Sequence, residues 1–171
     1  MSEKTALVRW DGEMHLLAEA GSGCRLEMDD GGGRPGFSPS ELLVVGLAGC
    51  TALDVVSILA KKRQKVATYE VAVVGERREA HPKVFTDMTV EHRVDGDPLD
   101  PEAVRRAIEL SATKYCTVTA ALATGVARIA HRYVVRNAEG EHRGEVVVTG
   151  PRGANVTGLD DLLEPVITPA G

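Results

Sequence analysis

Three thiols are available to this chain: Cys24, Cys50 and Cys116. A cysteine attacks or ligates as its thiolate, so whatever surrounds each sulfur decides its chemistry. Cys50 sits inside "LLVVGLAGCTALDVVSILA", an almost wholly apolar run from Leu42 to Ala60. It reads there as buried filler, as a metal ligand or as a reactive thiol. Desolvation alone raises a thiol's pKa, so reactivity at Cys50 requires a cationic or hydrogen-bonding partner. Cys116, in "SATKYCTVTAALATG", falls at the start of a short predicted helix. Unpaired N–H groups and the helix dipole stabilise an anion at such a place, and Lys114 adds positive charge, so its pKa is expected to fall. Cys24 alternates with Leu26 and Met28 in "CRLEMDD", which predicts an inward position on a strand and a structural role. Asp54 lies four residues beyond Cys50 on the same helical face, either orienting a basic partner or paired as a core carboxylate.

Other chemistries find less support. No CxxC occurs, and His15, His81, His92, His131 and His142 share no ligand spacing with each other or with Cys50 and Cys116, so no metal site is expected. "DDGGGRPG" lacks the phosphate-loop pattern GxxxxGK[ST] and reads as a mobile turn-rich segment. The formal charge of -5 over 171 residues argues against a nucleic-acid binder. An odd, scattered cysteine set does not make a disulfide framework, and "MSEKTALVRWDG" has no basic-then-apolar leader, so a reducing cytoplasmic setting is expected. Asp54 would cost about 2.5–3.5 kcal/mol at a bilayer centre, which favours a core helix over a membrane span for the apolar run.

These residues need elements to hold them. Thr5–Trp10 and Met14–Glu19 read as strands joined by the Asp11-Gly12 turn, with "CRLEMDD" as a third. Ser38-Pro39-Ser40-Glu41 combines a capping serine, a first-turn proline and a glutamate three residues on. A long central helix is expected from there to about Lys62, with Leu43, Gly46, Leu47, Cys50, Leu53, Asp54, Ser57 and Ile58 along one stripe. Tyr69–Arg78 and Val84–Val94 alternate as strands. Asp100-Pro101 starts a helix whose buried stripe is Val104, Ala107, Ile108 and Ser111. Ile129–Val135 is again a strand, "EVVVTG" a short one, and "LDDLLEPVI" a helical turn cut by Pro165. The order predicts an α+β fold without internal repeat: 1–137 as the domain, and 138–171 as an extension packed on it.

Two stretches taken together, "SPSELLVVGLAGCTALDVVSILAKKRQ" and "SATKYCTVT", with "GERREAHPKVFTDMTVEHRVDGDPLDPEAVRRAIELS" between them, resemble the OsmC/Ohr family of osmotically inducible and organic hydroperoxide resistance proteins. The likeness runs from about Thr5 to Val135, and "KYC" with "GCTALDVVSILAKKRQ" looks like a less characterised OsmC-like subgroup. The resemblance implies an intertwined homodimer, with strands around two central cysteine-bearing helices and active sites at the subunit interface. It matches Cys50 to the family's peroxidatic cysteine and Cys116, 66 residues later, to the resolving one. The implied function is reduction of organic hydroperoxides through a Cys50–Cys116 disulfide. No metal or organic cofactor is needed, and an external dithiol restores the thiols; in the Ohr branch that donor is a lipoylated protein.

The activating residues depart from the family pattern. Ser38-Pro39-Ser40 stands where Asn-Pro-Glu is common, and Glu41 lies one residue beyond the matching acidic position, turned by about 100°. The family's thiolate-stabilising loop arginine has Arg34 as its chemical candidate and Arg25 as a second. Tyr115-Cys116-Thr117-Val118 replaces the usual Cys-Pro setting. The candidate catalytic set is therefore Cys50, Cys116, Arg34 and Glu41. The alternative is a non-enzymatic OsmC-like protein that binds a small hydrophobic ligand or senses redox state.

Overall fold

The computed structural model of the chain describes residues 3–30, 36–125 and 128–150, in two units, Met1–Val45 and Gly46–Gly171. In the first unit, β1 (Ala6–Trp10), β2 (Leu16–Ala20) and β3 (Arg25–Met28) form an antiparallel meander in that order. The β1–β2 turn uses Gly12 at φ +106 and Glu13 at φ 46, and the Trp10 indole N–H donates to the Glu13 carbonyl at 2.8 Å. Gly36 lets the returning chain lie against β3, since a Cβ there would stand 2.9 Å from the Met28 carbonyl carbon.

Cys24 does not take its expected place. It precedes β3 and is exposed. Alternation identifies an inward face only when one face of the strand is covered, and in β3 Met28 alone is buried.

The predicted capping box forms as expected. The Glu41 carboxylate accepts from the Ser38 backbone N–H at 2.7 Å, while the Glu41 N–H donates to the Ser38 hydroxyl at 3.4 Å. It opens α1 (Pro39–Lys61), the longest helix, which continues into the second unit. By length and composition alone α1 could cross a membrane. Within the chain its buried line is Leu47, Thr51, Val55 and Leu59, spaced one turn apart. Leu43 and Leu53, expected on the buried stripe, are instead 47% and 76% exposed.

In the second unit, β4 (Val66–Arg77), β5 (Phe85–Gly96), β6 (Arg128–Asn137) and β7 (Gly140–Thr149) form a sheet in that order. β5 and β6 are parallel and the outer pairs antiparallel. A parallel pair requires a crossover, and here it carries α2 (Pro101–Leu110), a π-helical turn (Ser111–Tyr115) and α3 (Thr117–Leu122). Asp100 caps α2 as predicted, its carboxylate accepting from the Glu102 N–H at 2.9 Å. Val55 and Leu59 of α1 join Val104, Ala107 and Ile108 of α2, with Val94 and Val135 of the sheet, in one apolar core. "EVVVTG" belongs to the longer β7, which pairs with β6. The turn expected in "LDDLLEPVI" lies outside the described residues.

Candidate functional site

Helical spacing sets the first side of the site. Cys50 and Asp54 are one turn apart on α1, so both project over the same stretch of the second unit. The second side comes from the end of α2. There the Cys116 N–H bonds back five residues to the Ser111 carbonyl at 2.9 Å, closing the π turn. Cys116 leaves that turn in extended conformation (φ -69, ψ 105) and caps α3. The sulfurs of Cys50 and Cys116 and a carboxylate oxygen of Asp54 all lie within 4.8 Å of one another. All three cysteines of the chain are free thiols.

Two hydroxyls fix this junction. The Ser111 hydroxyl donates to the Asp54 carboxylate at 2.9 Å and lies 3.1 Å from the Thr51 hydroxyl. Asp54 is thus paired with a serine hydroxyl, which fits the second of its two expected roles, a paired carboxylate, rather than the first. Ser111 and Thr51 are completely buried, and sequence reasoning gave neither a role. The available signal was a serine in the otherwise apolar stripe of α2, since a buried hydroxyl demands a partner.

The two thiols differ in setting. Cys50 is half-buried, whereas Cys116 is 2% exposed. The Cys116 thiol is pushed up to about 11, first by burial and then by its hydrogen bond with Cys50, against the lowering effect of the Thr119 contacts. The Thr119 N–H does donate to the Cys116 sulfur at 3.3 Å, as a helix start should. The expectation of a lowered pKa nevertheless fails, because desolvation at this depth outweighs the dipole of a six-residue helix. Cys116 therefore keeps its proton at neutral pH.

Beneath the sheet face lies a second buried polar group. The Tyr69 hydroxyl is 2.7 Å from His92 Nδ1, and the His92 and His131 rings stack at 5.9 Å. Burial, then the negative charge of Asp54, raises the Tyr69 pKa. Burial, then proximity to His131, takes His92 down to about 3; burial takes His131 down to about 4.

The remaining predicted site residues are placed as follows. The Glu41 carboxylate is held by the Ser38 N–H and hydroxyl, each at 2.7 Å, and its pKa is lowered by those two bonds. The Arg25 guanidinium donates to Glu19 at 3.0 Å. Arg34 lies outside the described residues. Among the described residues no lysine or arginine donates a hydrogen bond to Cys50, Cys116 or Asp54.

Comparison with known proteins adds kinship to this geometry. A family model described as OsmC-like protein matches residues 30–129. Protein YhfA of Escherichia coli K12 is 42% identical over 130 residues, which span 76% of this chain and 96% of that protein. A solved structure of a hypothetical protein from Aquifex aeolicus VF5 is 28% identical with a TM-score of 0.73, covering 80% of this chain and 98% of that one. An organic hydroperoxide resistance protein from Elizabethkingia anophelis shares the fold at a TM-score of 0.58 and 15% identity, covering 80% of this chain and 97% of that one.

Proposed function

The chain belongs to the OsmC family, and from that premise we propose that it is a thiol-dependent peroxidase that reduces organic hydroperoxides. One observation carries this reading: two free thiols distant in sequence lie within 4.8 Å, one half-exposed and one buried. That is the disposition a peroxidatic and a resolving cysteine require.

The Cys50 thiolate attacks the distal peroxide oxygen, breaks the O–O bond and releases the alcohol after protonation of the departing alkoxide. Cys50 becomes a sulfenic acid. The Cys116 sulfur then attacks the Cys50 sulfur; the S–O bond breaks and the hydroxyl leaves as water with the Cys116 proton. Retention of that proton until this step suits the raised pKa of Cys116. An external dithiol, such as a lipoylated protein, reduces the disulfide by exchange. The sulfurs must close from their present separation to a bond of about 2.05 Å, which requires Cα atoms within about 7 Å of each other.

The cycle calls for a cation at Cys50, and we assign that role to Arg34. Glu41 acts through Ser38, fixing the start of α1. The working form is a homodimer in the cytoplasm, where the exposed apolar side chains Leu53, Val56 and Val74 are covered.

Redox sensing is the second reading, and one observation favours it. Among the described residues no lysine or arginine bonds to either sulfur, so they supply no activation for fast turnover, while the close pair of thiols still suits disulfide formation. One experiment separates the two: reduced protein is mixed with cumene hydroperoxide, and peroxide loss and the disulfide map are followed together. The peroxidase reading requires rapid loss with a Cys50–Cys116 bond, abolished in Cys50→Ser and diverted to sulfenic or overoxidised Cys50 in Cys116→Ser. Arg34→Gln should slow it strongly and Arg25→Gln should not. Slow formation of the same bond without turnover leaves sensing, and no oxidation ends both.

A further inference from the structure

We propose that Cys50, Cys116 and Asp54 form a binding site for a zinc-class divalent cation. This is independent of the hydroperoxide reading, since it uses the reduced thiols and transfers no electron.

The donors converge from separate elements: Cys50 and Asp54 from α1, and Cys116 from the junction of the π turn and α3. Their ligand atoms already lie within 4.8 Å of one another. Tetrahedral zinc with Zn–S bonds of about 2.3 Å places its sulfurs roughly 3.8 Å apart, so a contraction of about 1 Å at most completes the site.

Two of the three donors are also oriented from behind. Asp54 receives the Ser111 hydroxyl at 2.9 Å, Ser111 contacts Thr51 at 3.1 Å, and the Cys116 sulfur receives the Thr119 N–H at 3.3 Å. Hydrogen bonds of this kind fix ligand geometry in metal centres. They leave the second carboxylate oxygen without a hydrogen bond among the described residues.

Electrostatics selects the ion. Two sulfurs and one carboxylate gather with no lysine or arginine bonded to them among the described residues. A divalent cation would compensate the negative charge of the carboxylate and of the thiolates that ligate it. Thiolates select zinc-class ions over magnesium or calcium, which take oxygen ligands. Metal–sulfur bonds form to thiolates, so any proton still on either sulfur is released on binding. Three protein ligands leave a fourth position for water, reached past the half-exposed Cys50. Metal and disulfide then exclude each other, because both require the same pair of sulfurs.

The test uses the full reduced chain and zinc chloride, with a chromophoric chelator as competitor and a pH indicator. The expected result is one zinc per chain, with proton release accompanying formation of the metal–thiolate bonds. Cys50→Ser and Cys116→Ser should each weaken binding more than about 100-fold, and Ser111→Ala, which only orients Asp54, by roughly tenfold. Prior oxidation with diamide should abolish uptake. If a variant fails to fold, X-ray absorption of the zinc-loaded wild type still decides, since it must count two sulfurs near about 2.3 Å. No zinc uptake, a shell without sulfur, or undiminished affinity in Cys50→Ser overturns the site. Zinc uptake without hydroperoxide turnover would instead remove the peroxidase reading and leave this one standing.

Discussion

A carboxylate within 4.8 Å of both sulfurs is the residue-scale feature that most constrains the chemistry. Cys116 is buried and its thiol is pushed up to about 11, so iodoacetamide at neutral pH should label half-buried Cys50 well before Cys116. Peptide mass spectrometry over time reads this directly, and equal rates would mean that burial does not shield Cys116. That Cys50 and Cys116 meet was implied by the family resemblance; their environment was not legible. Helical spacing put Asp54 beside Cys50, but nothing local could reveal that Ser111, 57 residues further along, would be its partner. Cys116 failed as a prediction for a related reason. The position at a helix start was read correctly, while the depth of burial that overrides it depends on the packing of elements remote in sequence.

At the scale of elements, capping chemistry was the most readable part of the chain. Ser38 with Glu41 marked the start of α1 and Asp100 with Pro101 that of α2, because the Ser38, Glu41 and Asp100 side chains accept from N–H groups only a few residues away. Ser38→Ala should lower stability by about 1 kcal/mol, seen as a shifted urea midpoint with unchanged slope. A shift in slope instead would point to a change in the unfolded ensemble. The π turn left no such mark. "SATKY" has no periodicity of its own, and its fifth-residue bond, from the Cys116 N–H to the Ser111 carbonyl, is set by tertiary packing that no local pattern displays. Alternation misled at β3, where neither face is covered along most of the strand and Cys24 remains exposed.

For the whole molecule, the α+β order was legible, and the burial of α1 was not. An apolar helix looks uniformly buried in sequence, yet Leu53 is 76% exposed in the single chain. If a partner subunit covers that face, Leu53→Glu should convert the dimer to monomer in light scattering, and a wild-type monomer would refute the assembly. Protonation also acts at this scale. An unfolded histidine takes up its proton near 6.5, but His92 and His131 do so in the fold only near about 3 and about 4. Below pH 6.5 the unfolded chain binds protons that the folded chain refuses, so stability falls with pH. The loss approaches about 1.4 kcal/mol per pH unit for each histidine and levels off as the pH passes the folded values. Denaturation at a series of pH values checks the slope, and His131→Leu should reduce it by about half.

The closeness of Cys50 and Cys116 across 66 positions of chain has a thermodynamic consequence. A bond between them would close a long loop and remove freedom worth roughly 4 kcal/mol from the unfolded chain. The oxidised protein should therefore melt at a distinctly higher temperature than the reduced one. By the same cycle, the folded chain should form this bond on the order of a thousand times more favourably than the unfolded chain. Folding and oxidation would reinforce each other, and an equal melting temperature for both forms would show that strain in the closed bond cancels the gain.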